Sequence, residues 1–497
     1  MKLRSYLKRL ALAAFSAALC FHTATASPER NPDAASIGAE NHPAIMARFG
    51  GEIPDAALRD YVARLGAHIA TFSEQPDEAW RFTVLDSPAV NAFALPGGYI
   101  YVTRGLLALA GDEAELAAVL AHEITHVTAA HVEARMEVQA EDNTDAVVGD
   151  LLGGLLGGLL SGSDTPIADA VRETVESTIG GQKEFSREQE FEADALSIPL
   201  LVDAGYDPAA AADFLRAMRA QHALIARLAG RGYNPSQVPF FADHPAPDDR
   251  IARADALADA YQFDTRPTRG REPYLAAIDG MIFGDSTAQG FVRGRAFLHG
   301  ELGFSFVVPE GFILQNAARA VRAQGPDGAL LVMEGGRDRG GELRRFIARE
   351  WVPSLREIGQ SRPRLGPVRD IAINGLEAAQ ATMTRRFRGR NQVMTLTAIR
   401  LGDSIYRFTA LSARGADAAQ AAMGDAVASF GVYRPEGDAA LQPYRLVRHQ
   451  IAPQDTLESL LADAPADMAN EDWFAVLNRL EPGALPPVGH WVKLIRG

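Results

Sequence analysis

Cysteine is almost missing from this sequence: the one thiol in 497 residues is Cys20, inside an N-terminal stretch that reads as a removable leader. A mature chain without it has neither disulfide nor thiolate, so any metal must be held by His, Asp or Glu. Also missing is an apolar run of the roughly 20 residues that a membrane-spanning helix needs. The run from about Leu10 to Phe21 is too short. Basic Lys2, Arg4, Lys8 and Arg9 precede it and Ala24-Thr25-Ala26 follows, the layout of a secretory signal over residues 1–26 cleaved before Ser27, which implies a periplasmic protein. Basic charge is in deficit as well. The chain carries a net charge of −14, and loss of those four basic residues moves it to about −18. Phosphate binding needs a basic surface, so nucleic acid is excluded as a partner.

What is present is an ordinary folded composition, 47% hydrophobic and 23% charged. A chain of this length exceeds one hydrophobic core and should divide into several domains. From Pro28 to Tyr261 the pattern is helical with one strand-like interval. Trp80 to Leu85 alternates, and Phe93 to Val102 reads as two short strands around Pro96-Gly97-Gly98. Asp112 with Glu115 signals a helix start, Ser186 with Gln189 a second, Asp207-Pro208 a third, and a further helix spans about Asp248 to Tyr261. Leu151–Ser163 is a Leu/Gly segment too short to span a bilayer. It reads as a surface loop, a lid over a cleft, or an apolar patch for peripheral membrane contact. Residues 296–435 alternate strand-like runs with helices at Glu342 to Trp351 and Ala416 to Ser429, a separate α+β domain without a chemical motif. A linker is expected over 263–295.

The chemistry concentrates at His122-Glu123-Ile124-Thr125-His126, an H-E-x-x-H pattern on a helix whose buried stripe is Leu116, Val119, Leu120 and Val127. Residues four apart share a helix face, so both imidazoles can reach one Zn²⁺ while Glu123 projects beside them as general base. A third ligand is needed. Glu190 is the candidate, with Asp194 one turn on, placed to accept a hydrogen bond from a ligating imidazole. By itself such an acid pair is usually a solvated helix face, and it is the H-E-x-x-H motif beside it that favours the ligand reading. His131, nine residues after His122, is carried away from the metal by a continuous helix and reads as structural.

Four blocks in order resemble the zinc peptidases that include the CAAX prenyl endoproteases, the HtpX-type heat-shock proteases and the periplasmic β-barrel assembly-enhancing proteases. They are Asn91 to Gly98, His122 to His126, Ser186-Arg187 with Glu190 and Glu192-Ala193-Asp194, and His244-Pro245 with Arg250. The resemblance implies that Glu190 rather than Glu192 is the third ligand of one zinc per chain. It makes Asn91, Ala92, Phe93 and Ala94 an edge strand for docking extended polypeptide substrates, and His244 a latch or catalytic group near the metal. Arg250 and His244 are both candidates for the oxyanion partner. The assembly-enhancing relatives continue into helical repeats, whereas no such period is visible in this sequence, which weakens the case for a shared partner but leaves the active site untouched.

Residues 440–497 loosely resemble a LysM peptidoglycan-binding module, with Gln454-Asp455-Thr456-Leu457, Leu477-Asn478 and Gly489 before Trp491-Val492-Lys493-Leu494. A small capping subdomain that binds nothing fits the same pattern. The expected fold class is thus α+β multidomain: a mainly helical HExxH zinc-peptidase domain over 27–262 with a small edge sheet, an α+β accessory domain, and a LysM-like βαα(β) module. The expected function is zinc-dependent cleavage of misfolded or assembling envelope proteins, with peptidoglycan or outer-membrane assembly machinery as further partners. The rival is a chaperone-like envelope factor whose zinc site is latched or structural.

Overall fold

The computed structural model describes residues 34–132, 134, 187–228, 247–318, 320–355, 364–387, 390–412, 417–435 and 441–497. The expected leader, Leu151–Ser163, Ser186 and His244 lie outside the described residues. No helix among the described residues is long and apolar enough to cross a membrane.

Helices α1 (Ala34–Arg48) and α2 (Ala56–Ala70) precede a sheet of β1 (Arg81–Leu85), β2 (Ala92–Leu95) and β3 (Tyr99–Thr103), in the order β1-β3-β2. Strand β2 runs antiparallel to β3 and forms the sheet margin opposite β1. Gly97 and Gly98 turn the chain between β2 and β3 at φ of 79° and 77°, where a Cβ would be strained. Helix α3 (Arg104–Leu109) follows at once, capped by the Thr103 hydroxyl, which accepts from the Leu106 N–H.

Helix α4 (Glu113–Thr128) starts at Asp112, whose carboxylate accepts the Glu115 N–H at 3.0 Å. Glu115 reaches back to the N–H of Gly111 at 2.8 Å, one residue beyond the usual reciprocal cap. Every residue from Ala114 to Val127 is buried. The helix is therefore enclosed on all sides rather than striped, which is why its polar motif residues lie in the core. Around it stand α5 (Arg187–Asp203), α6 (Ala209–Leu228) and α7 (Pro247–Ala258).

The stretch expected as a linker is built into the structure. Helix α8 (Arg271–Ala277) and the turn after it bury Tyr274, Leu275, Ile278 and Met281 in the same core as α2 and α4. Strand β4 (Ile282–Phe283) follows, and β5 (Phe291–Arg293) already belongs to the next sheet. The apolar spacing from 274 to 281 is a helical stripe on so short an element that the sequence read as a connection.

The accessory region is α+β as expected. Strands β5, β6 (Ala296–His299) and β7 (Phe304–Val307) form one antiparallel sheet. The larger sheet contains β8 (Ile313–Ala317), β9 (Ala320–Gln324) and β10 (Leu330–Arg337). A helical segment follows β10: α9 (Leu343–Phe346), a π-helical turn (Ile347–Trp351) and α10 (Val352–Ser354). After it the sheet gains β11 (Arg364–Leu365), β12 (Arg369–Ile373), β13 (Leu376–Phe387), β14 (Arg390–Leu401) and β15 (Ser404–Ser412). One face packs Phe306, Phe408 and Phe430 beneath α11 (Asp417–Ala428). The other packs Leu396, Ile405 and Leu411 beneath Ile347 and Trp351. Strand β16 (Gly431–Val432) closes the smaller sheet against β7.

The C-terminal segment has the expected βααβ order: β17 (Tyr444–Gln450), α12 (Leu457–Leu461), α13 (Asn470–Asn478) and β18 (Trp491–Arg496). It shares its core with the helical half. Leu446, Leu477 and Ile495 join the cluster containing Leu107, Leu116 and Tyr274, and β17 pairs with β4. Lys493 is fully buried and donates to the carbonyls of Ala108, Leu109 and Ala110 at 2.7, 3.1 and 2.9 Å. These are oxygens that the end of α3 would otherwise leave without donors. Arg479 adds hydrogen bonds to the Leu109 carbonyl and to Glu115.

Lys493→Met is therefore expected to destabilise the whole helical half, because the Ala108 and Ala110 carbonyls lose their donor and the Leu109 carbonyl keeps only Arg479. Urea denaturation should show a loss of about 2–4 kcal/mol in a single transition, reported alike by far-UV circular dichroism and tryptophan fluorescence.

Candidate metal centre

The site lies where α4 passes α5. A helix presents residues i and i+4 on one face, so His122 and His126 point the same way, and their Nε2 atoms come to 3.0 Å. From α5, Glu190 approaches His122 Nε2 at 3.4 Å and His126 Nε2 at 3.3 Å. Ligand bonds of about 2.0–2.1 Å imply tetrahedral edges of about 3.3–3.4 Å, and each Glu190 oxygen stands at such a distance from one imidazole, Oε2 from His122 and Oε1 from His126, so the three residues converge closely enough for one zinc-sized ion. Among the described residues this is the one group of three or more His, Cys, Asp or Glu whose donor atoms converge in this way. His126 and Glu190 have no exposed surface. Glu123, which the same turn of α4 sets beside His122, is also buried.

The second nitrogen of each imidazole is held. His122 Nδ1 lies 3.2 Å from Asp194 Oδ1, one turn beyond Glu190, which is the arrangement expected of that aspartate. Arg250 on α7 closes the cluster, donating to both oxygens of Asp194 at 2.7 Å and lying 2.7 Å from Glu190 Oε2. Burial alone would raise the Asp194 pKa, but Arg250 and His122 outweigh it and hold it at about 2. The oxyanion role considered for Arg250 does not match this placement, because its guanidinium is committed to the two carboxylates.

His131 departs from expectation. The helix ends at Thr128, and Ala130 takes φ of 55°, a left-handed conformation uncommon outside glycine and asparagine. The chain reverses there and returns His131 to the site, its Nδ1 3.1 Å from His126 Nδ1 and its Nε2 3.3 Å from Glu192 Oε2. Burial lowers the His131 pKa. A neutral His131 protonated on Nε2 accepts from His126 Nδ1–H and donates to Glu192, which leaves His126 Nε2 free of its proton and facing the ligand cluster. No glycine marks the reversal, so the sequence carried no signal for it.

Asn91 leads into β2, which holds Ala92 to Ala94; all four are buried, with Phe93 stacked on Tyr101 at 4.9 Å. Strand β2 pairs with β3 alone among the described residues, so its second edge is the margin of the sheet.

Comparison with known proteins agrees with the motif blocks. Residues 56–258 match the model described as Peptidase family M48. A putative beta-barrel assembly-enhancing protease of Vibrio cholerae is 32% identical over 209 residues, 42% of this chain and 41% of that one. The beta-barrel assembly-enhancing protease of Escherichia coli is 31% identical over 202 residues, covering 41% and 39%. A mitochondrial metalloendopeptidase of Arabidopsis thaliana, OMA1, is 36% identical over 142 residues, covering 29% and 26%. The chain spans about two-fifths of the length of the assembly-enhancing relatives. The solution structure of PsbP from Synechocystis sp. PCC 6803 aligns with 30% of this chain at 12% identity, and its TM-score of 0.25 gives that likeness no weight. Residues 56–258 thus resemble peptidase family M48, in keeping with the zinc-metallopeptidase resemblance of the sequence.

Two outcomes follow from the geometry. His131→Ala frees the far side of His126, and competition with a chelator should show zinc affinity about 10–100-fold weaker with folding retained. The second concerns pH. In the metal-free chain burial and Arg250 lower the His122 pKa, but hydrogen bonds to Asp194 and Glu190 outweigh them and lift it to about 9. That proton stabilises the metal-free fold fully below the unfolded value of about 6.5, and the contribution is lost as pH rises through about 9. A ligating imidazole must be neutral, so zinc affinity measured in metal-buffered titrations should rise by up to about tenfold per pH unit towards pH 9.

Proposed function

We propose that this M48 domain is a zinc-dependent endopeptidase in which His122, His126 and Glu190 hold one ion. The observation that carries the reading is the convergence of those three residues inside a closed core, the two imidazole Nε2 atoms 3.0 Å apart and the two Glu190 oxygens 3.4 Å from His122 and 3.3 Å from His126. Zinc, when bound, supplies the Lewis acidity that polarises the scissile carbonyl and makes water a competent nucleophile near neutral pH. Glu123 takes the proton of the attacking water and delivers it to the leaving amine. Asp194 and His131 orient the two imidazoles, and Arg250 keeps Asp194 ionised and both α5 carboxylates aimed.

An extended polypeptide would add as a strand along Asn91 to Ala94, with backbone hydrogen bonds giving affinity and sequence tolerance together. His244 is the remaining catalytic candidate, as latch or oxyanion partner. The names of the assembly-enhancing relatives, with the N-terminal signal pattern, support cleavage of misfolded or assembling envelope proteins in the periplasm. The LysM-like order of 440–497 supports wall attachment by sequence alone. A second reading is favoured by one observation: Glu123, His126 and Glu190 are all closed to solvent. This supports a latent resting state in which the chain holds clients in a chaperone-like way until the site opens.

Three variants separate these roles. Glu123→Gln should keep zinc and folding while peptide hydrolysis falls about 10²–10⁴-fold, because the amide cannot accept the proton. Glu190→Ala should lose metal occupancy itself, read by metal analysis. His244→Ala should exceed the parent if the histidine latches the site, and fall below it if it serves the oxyanion. A Glu123→Gln chain that cleaves unfolded protein at the parent rate with zinc in excess overturns the protease assignment.

A further inference from the structure

The accessory domain holds a cavity unrelated to the metal centre. It lies between the helical segment 343–354 and the central strands of the large sheet, where β10 ends and β15 begins, with a volume of about 330 Å³. That is room for a small ligand or one large amino-acid residue. Its charged lining is Arg337, Arg339, Arg407 and Glu350, and its apolar wall includes Phe346 and Trp351. In a chain of net charge −14 a cavity with a local excess of two positive charges stands apart.

Each part is held for a reason. Asp338, between the two rim arginines, is occupied by Arg400 at 2.6 Å, and Arg400 also donates to the Gly341 carbonyl. The rim is thereby fixed, and no ion pair among the described residues takes up Arg337 or Arg339. Arg407 sits deeper. Its Cζ lies 5.9 Å over the Trp351 ring and its Nη2 is 3.5 Å from Glu334, while its buried Nε has no hydrogen-bond partner among the described residues. A buried donor of this kind is costly unless a ligand meets it. Phe346 and Trp351 stack at 6.4 Å and 29°. The helix carrying them passes through a π turn at Ile347–Trp351, and Phe346, Glu350, Trp351 and Ser354 on it line the cavity. Such turns are rare and recur at functional sites.

We propose that this cavity binds an organic carboxylate joined to an apolar or aromatic group. A guanidinium edge matches a planar carboxylate, and the aromatic wall takes the rest of the molecule. Glu350 sets the class, because its negative charge admits a monoanion and opposes a dianion such as a phosphate ester. A free aromatic acid and the C-terminal residue of a polypeptide share this chemistry.

The test is calorimetric titration of the full chain with 3-phenylpropionate, its amide, and a short peptide ending in phenylalanine with a free carboxylate. Either acid should bind saturably, with the amide weaker by about tenfold or more. Arg407→Gln and the exposed Arg337→Gln should each weaken acid binding by about tenfold or more with zinc content unchanged. Tighter binding of the peptide identifies a polypeptide end as the source, and tighter binding of phenylpropionate a small acid. Equal affinity for acid and amide, no saturable binding of either acid, or wild-type affinity in Arg337→Gln overturns the proposal.

Discussion

A carboxylate with no exposed surface must be compensated, because an isolated buried charge costs several kcal/mol or more. Glu190 is such a carboxylate, and Asp194 is nearly so. Arg250 answers both at 2.7 Å, and this buried interaction ties α7 to α5 and α5 to the imidazoles of α4. The rest of the site depends on it. Without the guanidinium the two acids would repel each other or take up protons, and the imidazoles would lose the groups that orient them. A divalent cation completes the same compensation, which is why one arrangement can be stable before loading and receptive to it.

The centre is also braced from behind. Polar groups at the turn between α3 and α4 face residues from two distant parts of the chain. Arg269 reaches Asp112 at 2.8 Å, Arg271 the Gly111 carbonyl at 2.8 Å, and Arg479 and Lys493 the last turn of α3. The N-terminus of the helix bearing the histidines is therefore fixed by a charged network, while its middle is fixed by apolar packing. A ligand geometry held to within a few tenths of an ångström needs both.

Short-range chemistry was legible in the sequence. The Asp112 cap, the glycine turn between β2 and β3, the HExxH face and the Glu190-to-Asp194 turn each depend on residues within one or two turns of one another, and they appear in the structure as read. What escaped is of two kinds. His131 returns to the site through a reversal at Ala130, a conformation that alanine pays for in strain and that no residue type announces. The embrace of α3 by Lys493 joins residues 385 positions apart, and a lysine in an alternating strand reads as a solvated face until tertiary packing encloses it. Residues 263–295 were misjudged for the same reason, since a seven-residue helix carries too little periodicity to stand out beside a rich loop composition.

The shared core of 444–497 with the helical half has a consequence in time. On the ribosome α4 emerges long before Lys493, and until that lysine arrives the carbonyls at the end of α3 and the apolar surface around Leu107 and Tyr274 lack their cover. Chain growth at about 5–20 residues per second makes that interval tens of seconds. The clustered residues of the metal centre all precede residue 251, yet the brace behind their helix is completed only after the accessory domain has been made, so the order of synthesis separates the appearance of the ligands from the appearance of their support.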